Sequence, residues 1–294
     1  MKATVVATGV PFGEGPVWCP DGTLVITRVS PGALVRVWPA TGRVAVIADT
    51  GGGANAAQLA SDGGFVVTQN GGIDWRPHAK VLGLDAARVP PYDPVAPGLQ
   101  RVRPSGAVEY LARDGFLGPN DLVVAPDGTV YFTDPGHHPV AAPDQGRVMA
   151  LGPDGAVRTI ATGFAYDNGI ALAPDGRVLV VEGVGLMWVG LDGTKEWLVE
   201  RLPGGAPGDG FAFDAAGTVY VADPLSHCIR VVEPDGRVVD ALDLGAGVVP
   251  TNCCFGGADR RTLFTTELLP GRVCAFAGLP TPGLAHTPWP VPTQ

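Results

Sequence analysis

The sequence predicts an all-β protein: a six-bladed β-propeller with four-stranded blades, its ring closed by the N-terminal strand. Three observations carry this. A hairpin motif recurs six times along 294 residues. Gly (43) and Pro (29) together make up about a quarter of the chain, so turns are frequent and helix-length stretches free of both are scarce. The last repeat lacks a strand, while a strand-like run near the N-terminus lacks a partner.

The six copies are EGPVWCPDGTLVIT from Glu14, NAAQLASDGGFVVT from Asn55, NDLVVAPDGTVYFT from Asn120, NGIALAPDGRVLVV from Asn168, DGFAFDAAGTVYVA from Asp209 and NCCFGGADRRTLFT from Asn252. Aligning Asp21, Asp62, Asp127, Asp175, Ala216 and Asp259 gives steps of 41, 65, 48, 41 and 43 residues. Asp-Gly supplies the positive φ of a tight turn, and β-branched and aromatic flanks favour strands, so each copy is a hairpin. A second hairpin follows each of the first five, starting at Ala33, Leu99, Gly146, Leu186 and Cys228. Two hairpins per unit of this length match a propeller blade. The sixth unit stops after GRVCAF (Gly271–Phe276), before a Pro-rich tail, 277–294. The unpaired run Ala3–Ala7 can supply its fourth strand and remove the exposed edges.

The 65-residue step holds an insertion, 70–98, expected as a loop over one face of a single domain, 1–294. Long irregular loops tend to be functional, so this one is expected to shape a binding mouth; a decoration or an oligomer contact is the alternative.

The formal net charge is -9, and the 20 Lys and Arg are scattered without a basic patch. This argues against nucleic acid and anionic membranes as partners and favours a cation or a neutral small molecule. No signal-like segment opens the chain and no run approaches 18 apolar residues. Five cysteines at irregular spacing read as buried and reduced, which places the expected protein in the cytoplasm, as a monomer or small homo-oligomer.

One column of the repeat is always a carboxylate or an amide: Glu14, Asn55, Asn120, Asn168, Asp209 and Asn252. It lies seven residues before each turn, at the start of the expected innermost strand. Equivalent positions of a propeller converge on its axis. Two acids there repel each other and lose solvation, and a divalent ion relieves both. With no His or Cys in the column, oxygen ligands point to Ca²⁺ first, or Mg²⁺ or Mn²⁺, while Zn²⁺ also accepts carboxylates. The alternative is a hydrated polar ring in which these residues cap their own turns.

The stretches GEGPVW (Gly13–Trp18), PNDLVVAPDGTVYFTDP (Pro119–Pro135), NGIALAPDG (Asn168–Gly176), DGFAFDAAGTVYVAD (Asp209–Asp223), TNCCFGG (Thr251–Gly257) and LFTT (Leu263–Thr266) resemble, in order, the gluconolactonase/regucalcin (senescence marker protein) family of six-bladed propellers. The resemblance runs over about Thr8 to Phe276 and implies a divalent-metal-dependent lactonase. It assigns Glu14, Asn120, Asn168 and Asp209 to the metal, Asp209 also to acid/base catalysis, and Asn120 to the metal or to substrate beside it. Sugar-lactone members carry Arg two residues before the PND-type Asn, where this chain has Gly118. Pro often precedes the DG-type Asp, where it has Gly208. These departures concern the substrate and leave the ligand set intact.

The expected catalytic residues are therefore Asp209 and Asn120. Asn120, Asn55, His137, His138 and Trp75 are expected at the substrate, a small lactone or ester; His137 and His138 read alternatively as a solvated loop pair. Tyr92 is a second candidate for the wall, and Trp18 reads as core. Asp121 is expected to point away from Asn120 and tie the strand start to a neighbour, while Asp134 and Asp223 make turn or inter-blade bonds. No G-x-S-x-G elbow or phosphate-binding Gly loop occurs. A metal-dependent esterase or phosphotriesterase, or a non-enzymatic cation-binding propeller, remains the alternative.

Overall fold

The computed structural model describes residues 1–80, 83–84, 89–135 and 144–290. Among them, 24 strands form six four-stranded antiparallel sheets around one axis, a six-bladed propeller. Blade one holds β1's neighbours in sequence: β1 itself is Thr4–Thr8, and the blade is β2 (Gly13–Trp18), β3 (Leu24–Val29), β4 (Gly32–Trp38) and β5 (Arg43–Asp49). Blade two is β6 (Ala54–Leu59), β7 (Phe65–Gln69), β8 (Gly98–Val102) and β9 (Val108–Ala112). Blade three is β10 (Leu122–Val124), β11 (Val130–Asp134), β12 (Gly146–Leu151) and β13 (Val157–Phe164). Blade four is β14 (Asp167–Leu172), β15 (Val178–Glu182), β16 (Gly185–Val189) and β17 (Lys195–Val199). Blade five is β18 (Phe211–Phe213), β19 (Val219–Asp223), β20 (Cys228–Val232) and β21 (Val238–Asp243). Blade six is β22 (Val249–Gly256), β23 (Thr262–Leu269) and β24 (Arg272–Ala277), completed on its outer edge by β1.

The closure is antiparallel, with Thr4 opposite Ala275 and Thr8 opposite Arg272. It seals the ring by pairing the chain's first strand with the last strand of its final blade. First strands of neighbouring blades touch all the way round, β2–β6–β10–β14–β18–β22 and back to β2, so they line the axis.

The core lies between blades rather than in one central body. Second strands such as VYFTD and VYVAD are buried on both faces, whereas fourth strands such as Val157–Phe164 are largely exposed. Each hydrophobic cluster joins adjacent blades; one packs Val17, Val25 and Leu34 against Phe65, Val67 and Val102. Each fully buried Leu, Val or Phe stabilises by roughly 1.5–3 kcal/mol. The expected core reading of Trp18 holds: it stacks on Phe264 at 5.2 Å.

The Asp-Gly turns behave as their chemistry requires. Gly22, Gly63, Gly128, Gly176 and Gly217 all have φ between 80° and 88°. The sixth copy has no glycine there, and Arg260 takes φ 54° instead, a left-handed conformation that side chains adopt at some cost.

Residues 277–290 of the Pro-rich tail run as a strap across the turn side of the propeller. Ala215 N donates to Pro282 O (2.8 Å) and Leu284 N to Phe213 O (3.1 Å) in blade five. Trp289 N donates to Leu59 O (2.8 Å) in blade two, and its ring is buried between blades two and three. Blades two and five face each other across the axis, so the strap spans that end of the channel. Among the described residues no helix is long and apolar enough to cross a membrane.

Candidate active site on the propeller axis

The column residues sit where the innermost strands begin, and the backbone there is irregular. Register shifts follow Glu14 in β2, Ala54 in β6, Asp167 in β14 and Pro250 in β22. In blades three and five the strand starts only after Asn120 and Asp209. A bulge turns a side chain away from the alternation of a regular strand, and here it aims the column at the axis.

A threonine on the second strand of one blade holds the column carbonyl of the next. Thr27 Oγ1 donates to Asn55 O (2.5 Å), Thr133 Oγ1 to Asn168 O (2.6 Å), and Thr68 Oγ1 to Asn120 O. These hydroxyls fix the seats of three amides at one height.

Glu14, Asn55, Asn120, Asn168 and Asp209 all line one cavity of about 200 Å³ at the strand-start end of the channel. A water takes about 30 Å³ of liquid, so this space suits a small molecule. Its walls include Ile73, Trp75, Tyr166 and Leu268. Asn70 Nδ2 donates to Asn55 Oδ1 (3.1 Å), and Asn55 Nδ2 donates to Asn120 Oδ1 (2.7 Å), a relay of amides.

Asn252 departs from the expected ring. Its amide donates to Glu14 Oε2 (3.2 Å) and to both oxygens of Asp121 (3.1 and 3.0 Å), and it faces the cavity at the other end. That second space is larger, about 300 Å³, with mostly apolar walls and the C-terminal strap across it. Asp121, expected to tie the strand start to a neighbour, meets Asn55 of the neighbouring blade and bonds besides to the blade across the axis. With Asn252 it separates the two cavities.

The electrostatics of the axis are one-sided. Among the described residues no Lys or Arg lines the mouth cavity. Burial pushes the Glu14 carboxyl well above the usual carboxylate range, with Asp209 and then Asp121 adding repulsion. Burial does the same to Asp209, with Asp121 adding to it and the Asn168 amide opposing it. Asp121 is raised to about 7 by burial against the pull of Asn252 and Asn55. Asn168 Oδ1 is buried and accepts no hydrogen bond.

Among the described residues no three His, Cys, Asp or Glu side chains form a ready cation cage. The ring is a different donor set, two carboxylates among neutral amides. It nevertheless fits a hard divalent cation: all donors are oxygen, and among the described residues the two charges lack a counter-charge and one amide oxygen is left without a partner.

Trp75 lines the mouth and packs its ring on Phe12 at 4.9 Å. His137 and His138 lie outside the described residues. Tyr92, largely exposed, is not among the residues that line the cavity. Sequence reasoning missed three residues at or beside the site and the full reach of a fourth. Tyr166 is two residues before Asn168 and so on its side of the chain, a signal that period-two reading offers. Asn70, at the end of β7, and His78, within an irregular insertion, carry no such signal. The reach of Asp121 across the axis exists only once the ring is closed.

Residues 12–268 match the family model described as SMP-30/Gluconolactonase/LRE-like region. The chain is 28% identical over 279 residues to a gluconolactonase of Zymomonas mobilis, covering 86% of this chain and 75% of that protein. It is also 28% identical over 267 residues to a 6-deoxy-6-sulfogluconolactonase of Pseudomonas putida, covering 87% and 83%. Its fold superimposes on a calcium-binding protein, regucalcin, from Agrobacterium tumefaciens with TM-score 0.77 and 19% identity, covering 97% and 96%. With the family model spanning most of its length, this chain belongs to the SMP-30/Gluconolactonase/LRE-like family.

Proposed function

We propose that this protein is a divalent-metal-dependent hydrolase that opens the ring of a lactone. The observation that carries this is the pair Glu14 and Asp209, two acids without a cationic partner among the described residues, set with an orphaned amide oxygen around a cavity of small-molecule size. Family membership and the two lactonase relatives supply the reaction class. The name of the structurally similar calcium-binding protein supports Ca²⁺, with Mg²⁺, Mn²⁺ or Zn²⁺ as alternatives. Five buried free cysteines are consistent with a reducing, cytoplasmic setting.

Glu14, Asn168, Asp209 and Asn120 would hold the ion. When bound, it supplies a Lewis acid for the lactone carbonyl and the oxyanion that develops there. In hydrolysis a water oxygen joins the carbonyl carbon, the bond from that carbon to the ring oxygen breaks, and one water proton ends on the released alkoxide. Asp209 takes that proton from the water and returns it to the ring oxygen. Asn120 and Asn55, coupled through one hydrogen bond, orient the substrate at the ring. Trp75 walls the mouth and limits water around the reacting ester. The remaining candidates, His137 and His138, are proposed at the same mouth.

The test is a proton-release assay on chelator-stripped protein with sugar and non-sugar lactones, with each ion in turn, beside Asp209→Asn. Ion-dependent ring opening that collapses in the variant is expected. Turnover of aryl or phosphate esters in place of lactones would move the assignment to an esterase on the same scaffold. Ion binding without turnover of any ester would leave a cation-binding propeller.

A further inference from the structure

We propose that Trp75 and His78, in the 70–98 insertion, form a hydroxyl-recognition subsite on the wall of the mouth, selecting ring-hydroxylated lactones over unsubstituted ones. The inference rests on the lactonase reading and adds to it the groups that read the substrate.

The geometry is that of a built site. Asp74 Oδ1 accepts from Arg76 N (3.0 Å) and its carboxylate grips the Arg76 guanidinium (2.8 and 2.6 Å), which pins the start of the 3₁₀ turn Arg76–His78. His78 N donates to Trp75 O (3.0 Å), closing that turn. The Trp75 ring is anchored among Phe12, Val29 and Leu268, and the His78 ring stands edge-on to it at 6.2 Å and 70°. Both residues face the same cavity as Glu14 and Asp209.

Two polar atoms in this assembly have no hydrogen-bond partner among the described residues. Trp75 Nε1 and His78 Nε2 are both shielded from solvent and without a hydrogen-bond partner. A buried polar atom left unpaired is a cost that native structures rarely carry without a use. Indole N–H is a donor only, while an imidazole nitrogen donates or accepts according to its tautomer. A cation suits neither the N–H of Trp75 nor a protonated imidazole. A hydroxyl oxygen suits both, since it accepts from the indole and either gives to or accepts from the imidazole. Two oxygens on one small ring can reach both groups at hydrogen-bond distances of about 2.9 Å. An unsubstituted lactone would leave both atoms unpaired, and a site built for hydroxyls rejects such a substrate for that reason.

The test compares glucono-1,5-lactone with δ-valerolactone, the same ring without hydroxyls, on wild type, Trp75→Phe, His78→Leu and His78→Gln. Phe keeps the packing and removes the N–H, and Gln keeps a polar group where Leu does not. The expected result is a loss of about tenfold in kcat/KM on the hydroxylated lactone for Trp75→Phe and for His78→Leu, mainly through KM. Losses on δ-valerolactone should be clearly smaller than on the hydroxylated lactone, and His78→Gln should recover part of the loss on the latter. Equal losses on both lactones, or none on either, would overturn the inference and leave the lactonase reading standing. A wild type inert on both lactones would sink that reading instead. Calorimetric binding of gluconate then decides the inference alone: weaker binding by His78→Leu and Trp75→Phe sustains it, and equal binding overturns it.

Discussion

Two groups of buried acids in this propeller are treated in opposite ways. Away from the axis, Asp134 and Asp223 end the second strands of blades three and five and Glu267 lies near the end of that of blade six, and each is almost wholly buried. Each meets an arginine from the third strand of its own blade: Arg147, Arg230 at 2.9 Å and Arg272 at 3.0 Å. Backbone N–H groups complete them, Leu117 and Gly118 on Asp134, Ser226 on Asp223 and Arg272 on Glu267. On the axis, Glu14 and Asp209 have amides, a phenol and each other for company, with Asp121 behind them. A buried charge is costly unless paired, so an acid with its own arginine belongs to the architecture. Glu14 and Asp209 have no arginine beside them among the described residues, and in the proposed function a cation from outside takes that place.

The largest expected effect breaks the comparison if it fails. Asp209→Asn keeps the shape and removes one axial charge; turnover with saturating ion should fall by about 10²–10⁴-fold. The thermal midpoint of the ion-free protein should stay level or rise, because repulsion at Glu14 is relieved. Next in size is Arg272→Met, which leaves Glu267 buried with an unpaired charge. Removing one partner of a buried pair costs about 3–5 kcal/mol, and the low end applies because the guanidinium side chain is 27% exposed. The midpoint should drop by about 5 °C or more, with kcat per folded molecule unchanged. If Asp209→Asn destabilised the ion-free protein as Arg272→Met does, the axial acid would be structural and the contrast lost.

A third expectation concerns pH. The carboxyls of Glu14 and Asp209 are raised in the folded state, so they bind protons there more tightly than in the unfolded chain. Their contribution to stability is then full below the ordinary carboxylate value of about 4 and is lost as pH rises toward the folded value. In chelator, a Glu14→Gln, Asp209→Asn double variant should be the more stable protein at pH 7, and the gap should close toward pH 4. Calcium should reverse the order at pH 7, adding about 2.7 kcal/mol to the wild type at a hundredfold excess over Kd. Thermal scans between pH 4 and 8 with calcium or chelator would read both. A gap that does not change with pH would show that the axial carboxyls carry no uncompensated charge.

What was legible in the sequence follows from periodicity. The six turns, the alternating strands and the unpaired N-terminal run repeat at blade spacing, so the fold and the column from Glu14 to Asp209 could be read without coordinates. Asn252 belongs to the same column by sequence yet leaves the ring, because Asp121 of the opposite blade pulls its amide toward the far cavity. That contact joins residues 131 positions apart across the axis, and no local pattern encodes it. Similarly, Arg147 reveals itself as the partner of Asp134 only through the cross-strand register of β11 and β12. The insertion has no period at all, so Trp75 could be singled out by its size, while His78 could not.

The smallest expected effect tests whether the amides of the ring need their threonine seats. Thr133 Oγ1 donates to Asn168 O (2.6 Å) and accepts from Asp121 N (3.1 Å), so one hydroxyl serves residues of two blades. Blade four has Val181 at the equivalent place and blade five has Ala222, so the scaffold accepts an apolar side chain there. Thr133→Val therefore keeps the strand and removes only the hydroxyl. It should cost about 1 kcal/mol in denaturant unfolding, since a buried carbonyl and an N–H each lose a partner. Calcium affinity by titration should fall a few-fold, because Asn168 presents its free oxygen from a looser backbone. Conversely, Val181→Thr, on the blade before Asp209, lies under a residue whose backbone is already held by Asp209 N to Ala222 O at 3.0 Å, and it should leave affinity unchanged. If both substitutions left calcium binding untouched, the ring would be set by its bulges alone, and the threonines would belong with the arginine-paired acids as architecture.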